Sequence, residues 1–338
     1  MGYPADQFTT EYWFPWYDQI YMNTWILVGN PSSAQTAYVD IYIGGVKKGS
    51  YAIPPGDRIT PQFPGVLDGP VRVVSVTGTG TPAPLNIFAS ERSTYLSSFN
   101  EVMGYPANQF TTEYWFPWYD QVYMNSWVLV GNPSSSQTAY VDIYIGGVKQ
   151  GATRSIAPNG NITPQFPGVL NGPVRVVSVT GTGTPTPLNI FTSERSTYLG
   201  SFSEVMGYPT NQFTTDYWYT WYDNQGMTSW VLVGNPSSSQ TAYVDIYIGG
   251  VKQGTTRSIA PNGNITPQFN TSNGPVRVVS VTGSGTPTAI PIFTSERSIY
   301  KTSFNEMMGY PADQLTTEYW FTWYDRVYMQ TDIYVSRP

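Results

Sequence analysis

The stretch Ala37-Tyr38-Val39-Asp40-Ile41-Tyr42-Ile43 alternates without a break, with Ala37, Val39, Ile41 and Ile43 on one face and Tyr38, Asp40 and Tyr42 on the other. A period of two marks a half-buried strand, and the Gly44-Gly45 that follows signals a hairpin into Val46 to Ile53. Upstream, the apolar run Trp25-Ile26-Leu27-Val28 stops at Gly29-Asn30-Pro31-Ser32-Ser33, a strand followed by a strong turn signal. Downstream, Pro54-Pro55-Gly56-Asp57 turns into Ile59 to Phe63, Asp68-Gly69-Pro70 starts Val71 to Val76, Thr77 to Pro84 reads as a loop, and Leu85 to Ser90 is the last strong strand. About seven short strands separated by closely spaced turns describe an antiparallel two-sheet sandwich.

The unit is repeated. A segment opening Met-Gly-Tyr-Pro and running into Thr-Glu/Asp-Tyr-Trp starts at Met1, Met103, Met206 and Met308. A period of roughly 100 residues exceeds that of solenoid or propeller repeats and matches a self-contained domain. The chain is therefore read as all-β, with sandwich repeats at 1–102, 103–205 and 206–307 and a partial repeat at 308–338. Composition agrees: 11% of the 338 residues are charged and 16% aromatic, with 32 Gly and 28 Pro to punctuate turns. A net charge of −6 argues against nucleic acid as a partner, and no apolar run is long enough for a membrane-spanning helix. Met1 is in phase with the repeat, which marks it as a processed boundary of a longer precursor. The divergent Asp332-Ile333-Tyr334-Val335-Ser336-Arg337-Pro338 reads as a terminal cap and Pro338 as the natural end.

Trp-Val-Leu-Val-Gly-Asn-Pro-Ser followed by Ala-Tyr-Val-Asp-Ile-Tyr-Ile-Gly-Gly resembles the tandem immunoglobulin-like β-sandwich repeats of bacterial cell-surface and secreted proteins. The Gly-Pro-Val-Arg-Val, Ile-Phe-Thr-Ser-Glu-Arg and Ser-Phe-Asn-Glu-Val runs extend the likeness over all three units. It implies an extracellular structural or adhesive role and transfers no site residues, since the Cys–Trp–Cys core and acidic calcium loops of such families are missing here.

The chain has no His and no Cys, so the commonest general base, thiol nucleophile and metal ligands are all absent. The Ser90-Glu91-Arg92, Ser193-Glu194-Arg195 and Ser295-Glu296-Arg297 triplets lack a base for the serine and read as strand-end ion pairing. The acids Asp18, Asp40, Glu91 and Glu101 offer a weak cation or acid–base set, without a calcium-loop spacing. Asn161-Ile162-Thr163, Asn264-Ile265-Thr266 and Asn270-Thr271-Ser272 match the glycosylation sequon. No catalytic, cofactor-binding or metal residue is assigned, and no cofactor.

Aromatic residues carry the remaining signal. Tyr38, Tyr42, Tyr140, Tyr144, Tyr243 and Tyr247 are expected on outward strand faces, as a cross-strand ladder, a protein interface or a sugar platform. The run Tyr12-Trp13-Phe14-Pro15-Trp16-Tyr17-Asp18 is apolar on both faces, so something beyond its own sheet must cover it, either the neighbouring domain of the chain or another subunit. It occurs four times against three domain bodies, leaving one aromatic strand spare. Tyr12, Trp13, Phe14, Trp16 and Tyr17, with Tyr319, Trp320, Phe321, Trp323 and Tyr324, are therefore the expected self-association residues. The expectation is a non-enzymatic extracellular rod that joins end to end with copies of itself, the stub closing the third repeat on one face and meeting the next chain on the other. The alternative is a carbohydrate-binding surface adhesin using the tyrosine faces. The repeat linkers from Phe99 to Thr111 and Phe202 to Thr214 hold Gly-Tyr-Pro and no flexible run, so adjacent repeats should dock.

Overall fold

A computed structural model describes residues 2–338; Met1, and with it the expected processing boundary, lies outside them. Each repeat is an antiparallel two-sheet sandwich. In the first, one sheet has the order Ser98–Met103, Phe88–Tyr95, Asn23–Gly29, Arg58–Ile59. The other runs Tyr105–Pro106, Glu11–Phe14, Val71–Val76, Ala37–Ile43, Val46–Ile53. The second and third repeats keep this plan, except that the strand after the Gly-Gly turn splits in two, Val148–Lys149 and Arg154–Ile156 in the second.

The alternating strand behaves as its pattern requires. Ala37, Val39, Ile41 and Ile43 are fully buried; they share a core with Val71 and Val73 of the neighbouring strand and with Ile26 and Val28 of the opposite sheet. Asn30 explains the recurrent Gly-Asn-Pro-Ser: it is buried, its amide nitrogen lies 2.8, 3.0 and 3.1 Å from the carbonyls of Gln35, Ile53 and Pro54, and its oxygen accepts from Ser32 N–H. One side chain thus satisfies the backbone where two loops meet. The preceding Gly29 has a steric reason: a Cβ there would lie 2.1 Å from the Phe88 ring.

Two boundaries differ from the sequence reading. The last strong strand is Phe88–Tyr95 rather than Leu85 to Ser90, and it turns at once into Ser98–Met103, which the sequence reading left in the linker. The turn carries Leu96 at φ 53°, a left-handed position held by a residue that gives no turn signal. Second, the first sandwich does not stop at residue 102. Its sheet is finished by Tyr105–Pro106 at the head of the next repeat, so adjacent units interlock as the stiff linkers suggested.

Candidate functional site at the joints between repeats

Every joint is built from two short elements. Tyr105–Pro106 pairs with Tyr12 and Trp13, Tyr208–Pro209 with Tyr114 and Trp115, and Tyr310–Pro311 with Tyr217 and Trp218. Proline lacks an amide donor, which suits a two-residue strand at the sheet edge. The glycine before each Tyr-Pro allows close approach: a Cβ on Gly104 would lie 2.8 Å from the Phe14 ring.

The aromatic strand has two destinations. Tyr12, Phe14 and Tyr17 point into their own sandwich and are fully buried. Trp13 points out and crosses into the second repeat, where its ring lies 5.5 Å from Phe191 and 6.2 Å from Phe110. Trp115 meets Phe293 and Phe213 in the third repeat in the same way. The indole N–H of Trp13 donates to Glu11 Oε1 at 2.7 Å, and Glu11 also holds Arg72 through two 2.9 Å bonds. The aromatic ring is therefore buried with its polar edge satisfied. Asn161 adds a bond across the first joint, donating to the Pro15 carbonyl at 2.8 Å, and Asn264 does the same to Pro117 at 2.9 Å.

The fourth copy closes the array. Tyr3–Pro4 pairs with Tyr319 and Trp320, and Trp320 packs on Phe8 and Phe88 as Trp13 packs on Phe110 and Phe191. Contacts thus run from first repeat to second, second to third, third to stub, and stub back to first. At the centre the Gly-Tyr-Pro segments touch one another. Tyr3 donates to the carbonyls of Ala89 and Gly104, Tyr208 to that of Gly309, and Tyr310 to that of Gly2. Gln7 meets Gln314 at 3.4 Å, and Gln212 donates to Gln109 at 2.9 Å. Three places in this cycle hold whole sandwiches and the fourth holds the stub alone. Thr322 donates to Glu101 at 2.6 Å, Trp323 lies under Arg58 at 4.3 Å, and the tail returns to the third repeat, where Tyr334 stacks on Trp221 and Ser336 bonds the Thr220 carbonyl.

Several expectations change accordingly. The N-terminal region that receives the stub is the chain's own, so the ends meet and the extended rod gives way to a closed cycle. Tyr12, Trp13, Phe14 and Tyr17 are buried inside the chain, and Trp16 is partly buried. Of the stub's expected contact residues, Tyr319, Trp320 and Trp323 are partly covered at the joint, whereas Phe321 and Tyr324 are exposed. The tyrosine faces cover their own sheet. The Tyr38 hydroxyl donates to the Thr79 carbonyl with its ring over Gly78, Tyr140 and Tyr243 repeat this, and Tyr42 and Tyr144 lie beside Arg72 and Arg175. Tyr247 occupies the corresponding position opposite Arg277.

The Ser-Glu-Arg triplets split up. Arg92, Arg195 and Arg297 bind Glu101, Glu204 and Glu306 on the adjacent strand, as ion pairing predicted. Glu91, Glu194 and Glu296 are turned the other way, opposite the core residues Ile26, Val128 and Val231, and are buried without such a partner. Burial pushes the Glu91 carboxyl up; nearby Glu204 pushes it further and Arg195 of the second repeat opposes. Glu194 sits likewise against Glu306 and Arg297, and burial alone raises Glu296 to about 8. Of the other acids, Asp18 caps the turn at Ile20 and Tyr21, and Asp40 pairs with Lys47 at 2.8 Å. Among the described residues no group of three or more acids is placed to hold a metal ion.

The receiving rings Phe88, Phe191 and Phe293 were missed in the sequence; a phenylalanine in phase after each loop was their only signal. The sequon residues Asn161 and Asn264 were recognised, but not as seam contacts. No family model matches this chain, and no curated protein matches it significantly.

Proposed function

We propose that this chain is a non-enzymatic structural protein of the cell exterior or cell surface, whose repeats interlock by donated strands and whose two ends form a clasp. Closed within one chain, the clasp makes a compact unit; re-formed between chains, it joins copies into a larger assembly. The pairing of Tyr3–Pro4 with Tyr319–Trp320 carries this reading, because each end supplies what the other lacks and either can be met by a second copy. The absence of His and Cys and the engagement of Ser90, Arg92 and Glu101 with one another support a non-catalytic role. The likeness to surface repeats supports the location.

The chain has no cysteine of its own, which permits a direct test. Pro4 and Tyr319 are directly paired, at the roughly 4.5–5.5 Å Cα separation that a disulfide can bridge. Pro4→Cys with Tyr319→Cys should oxidise to a cross-linked monomer when dilute and to a ladder of covalent multimers when concentrated. Monomer alone at every concentration would overturn assembly, and no disulfide at all would overturn the clasp.

A further inference from the structure

We infer that the cleft at the seam between the first and second sandwiches binds one pyranose ring of a neutral glycan. The cleft has a volume of about 220 Å³, below the range typical of drug-sized ligand pockets and suited to a single sugar ring. Its walls include Trp16 and Tyr21 from the first repeat and Trp127 from the second. Aromatic faces of this kind take the C–H face of a sugar, and Tyr21 stands 74% exposed at the mouth on a turn pinned by Asp18.

The polar groups are of the right kind and are free to bind. Asp18 uses one carboxylate oxygen for its turn. Arg195 uses Nε and Nη2 for Glu204, and Nη1 has no partner among the described residues. The hydroxyls of Thr163 and Thr197, also in the lining, make no hydrogen bond with the described residues. Donors and acceptors are thus both present, as vicinal sugar hydroxyls require. With Arg195 neutralised by Glu204, the cleft offers no strong positive field for an anionic ligand. A peptide strand is disfavoured because Asn125–Gly131, the strand carrying Trp127, is paired along one edge to Phe191–Tyr198, while on the other Val130 and Gly131 pair with Asn161–Ile162 and the Val128 N–H donates to the Pro164 carbonyl. The next seam repeats the set in sequence as Trp118, Asp120, Tyr123, Trp230, Thr266 and Arg297, with Ile299 where Thr197 stands. Two such sites on one chain would add avidity for a polymeric glycan.

The test is saturation-transfer NMR on the full chain with methyl β-glucoside, methyl β-galactoside, methyl α-mannoside and N-acetylglucosamine, plus the peptide Gly-Tyr-Pro-Ala as control. Transfer to ring C–H protons of at least one sugar at millimolar affinity is expected. Affinity should fall roughly tenfold in Trp127→Ala. It should fall severalfold in the shape-preserving Thr163→Val/Thr197→Val, with an unchanged circular dichroism spectrum. No transfer to any of the sugars, transfer unaffected by both variants, or transfer to the peptide alone would overturn the proposal.

Discussion

The indole of Trp320 lies 5.7 Å from the ring of Phe88, the relation that Trp13 bears to Phe191 and Trp115 to Phe293. The same joint is therefore used inside the chain and at its closure, which makes the closure testable by the rules that govern the others.

Trp320→Ala should weaken the clasp and leave the internal joints intact. Trp320 is only partly buried, so the expected cost is about 1–3 kcal/mol, below the roughly 3–5 kcal/mol of a fully buried tryptophan. Urea denaturation should show a lower midpoint, and small-angle scattering a larger radius as the first repeat separates from the stub. An unchanged radius would mean that Tyr3–Pro4 pairing and the Tyr310 bond to Gly2 suffice to hold the ends.

Gly131→Ala should destabilise the second repeat by about 1–3 kcal/mol or more through overpacking. The added Cβ would lie 2.2 Å from the Phe191 ring, which receives Trp13, so the first joint should loosen along with the core. Intrinsic fluorescence and thermal melting report both effects; a variant as stable as the parent would refute the close packing.

Glu296 makes stability depend on pH in a defined direction. Its carboxyl is raised to about 8 from an ordinary value of 4.5, so the folded chain keeps a proton that the unfolded chain releases between these two values. The stability linked to this group is fully present below pH 4.5 and is lost as pH rises through about 8. Melting temperature should fall across that window, and Glu296→Gln should flatten this component. A steeper fall in the variant would contradict the assignment.

In a glycosylating host, Asn270 should be modified and Asn161 and Asn264 left bare. Asn270 is exposed, whereas the amides of the other two are bonded to carbonyls of the preceding repeat. Peptide mass mapping decides it. Asn161→Ala, which removes the seam bond without a glycan, should cost about 1 kcal/mol.

The sandwich was legible because Val39, Ile41 and Ile43 alternate with polar neighbours and Gly44-Gly45 announces its turn. The Leu96 turn was not, because an exposed leucine at positive φ carries none of the Gly or Asn signals that mark such a turn. The aromatic run was correctly read as needing cover on both faces. Its cover was expected from the neighbouring repeat or from another chain; for the fourth copy it was sought in another chain, because nothing in Tyr3-Pro4 says that it will pair with residues 319 and 320. Glu91 was read as half of an ion pair; its neighbours in sequence do not reveal that it is turned to the core side opposite Ile26 while Arg92 takes Glu101.

Because each sheet is finished by residues that head the next repeat, maturation during synthesis must run one repeat late. The first sandwich waits for Tyr105, the second for Tyr208 and the third for Tyr310, while Phe8 and Phe88 stay uncovered until Trp320 has left the ribosome. A nascent chain halted short of that point carries an open apolar patch, which makes Trp320 the residue that shields Phe8 and Phe88, both far upstream in the sequence. Limited proteolysis of stalled chains of graded length should show protection of each sandwich stepping up only after the following Gly-Tyr-Pro has emerged.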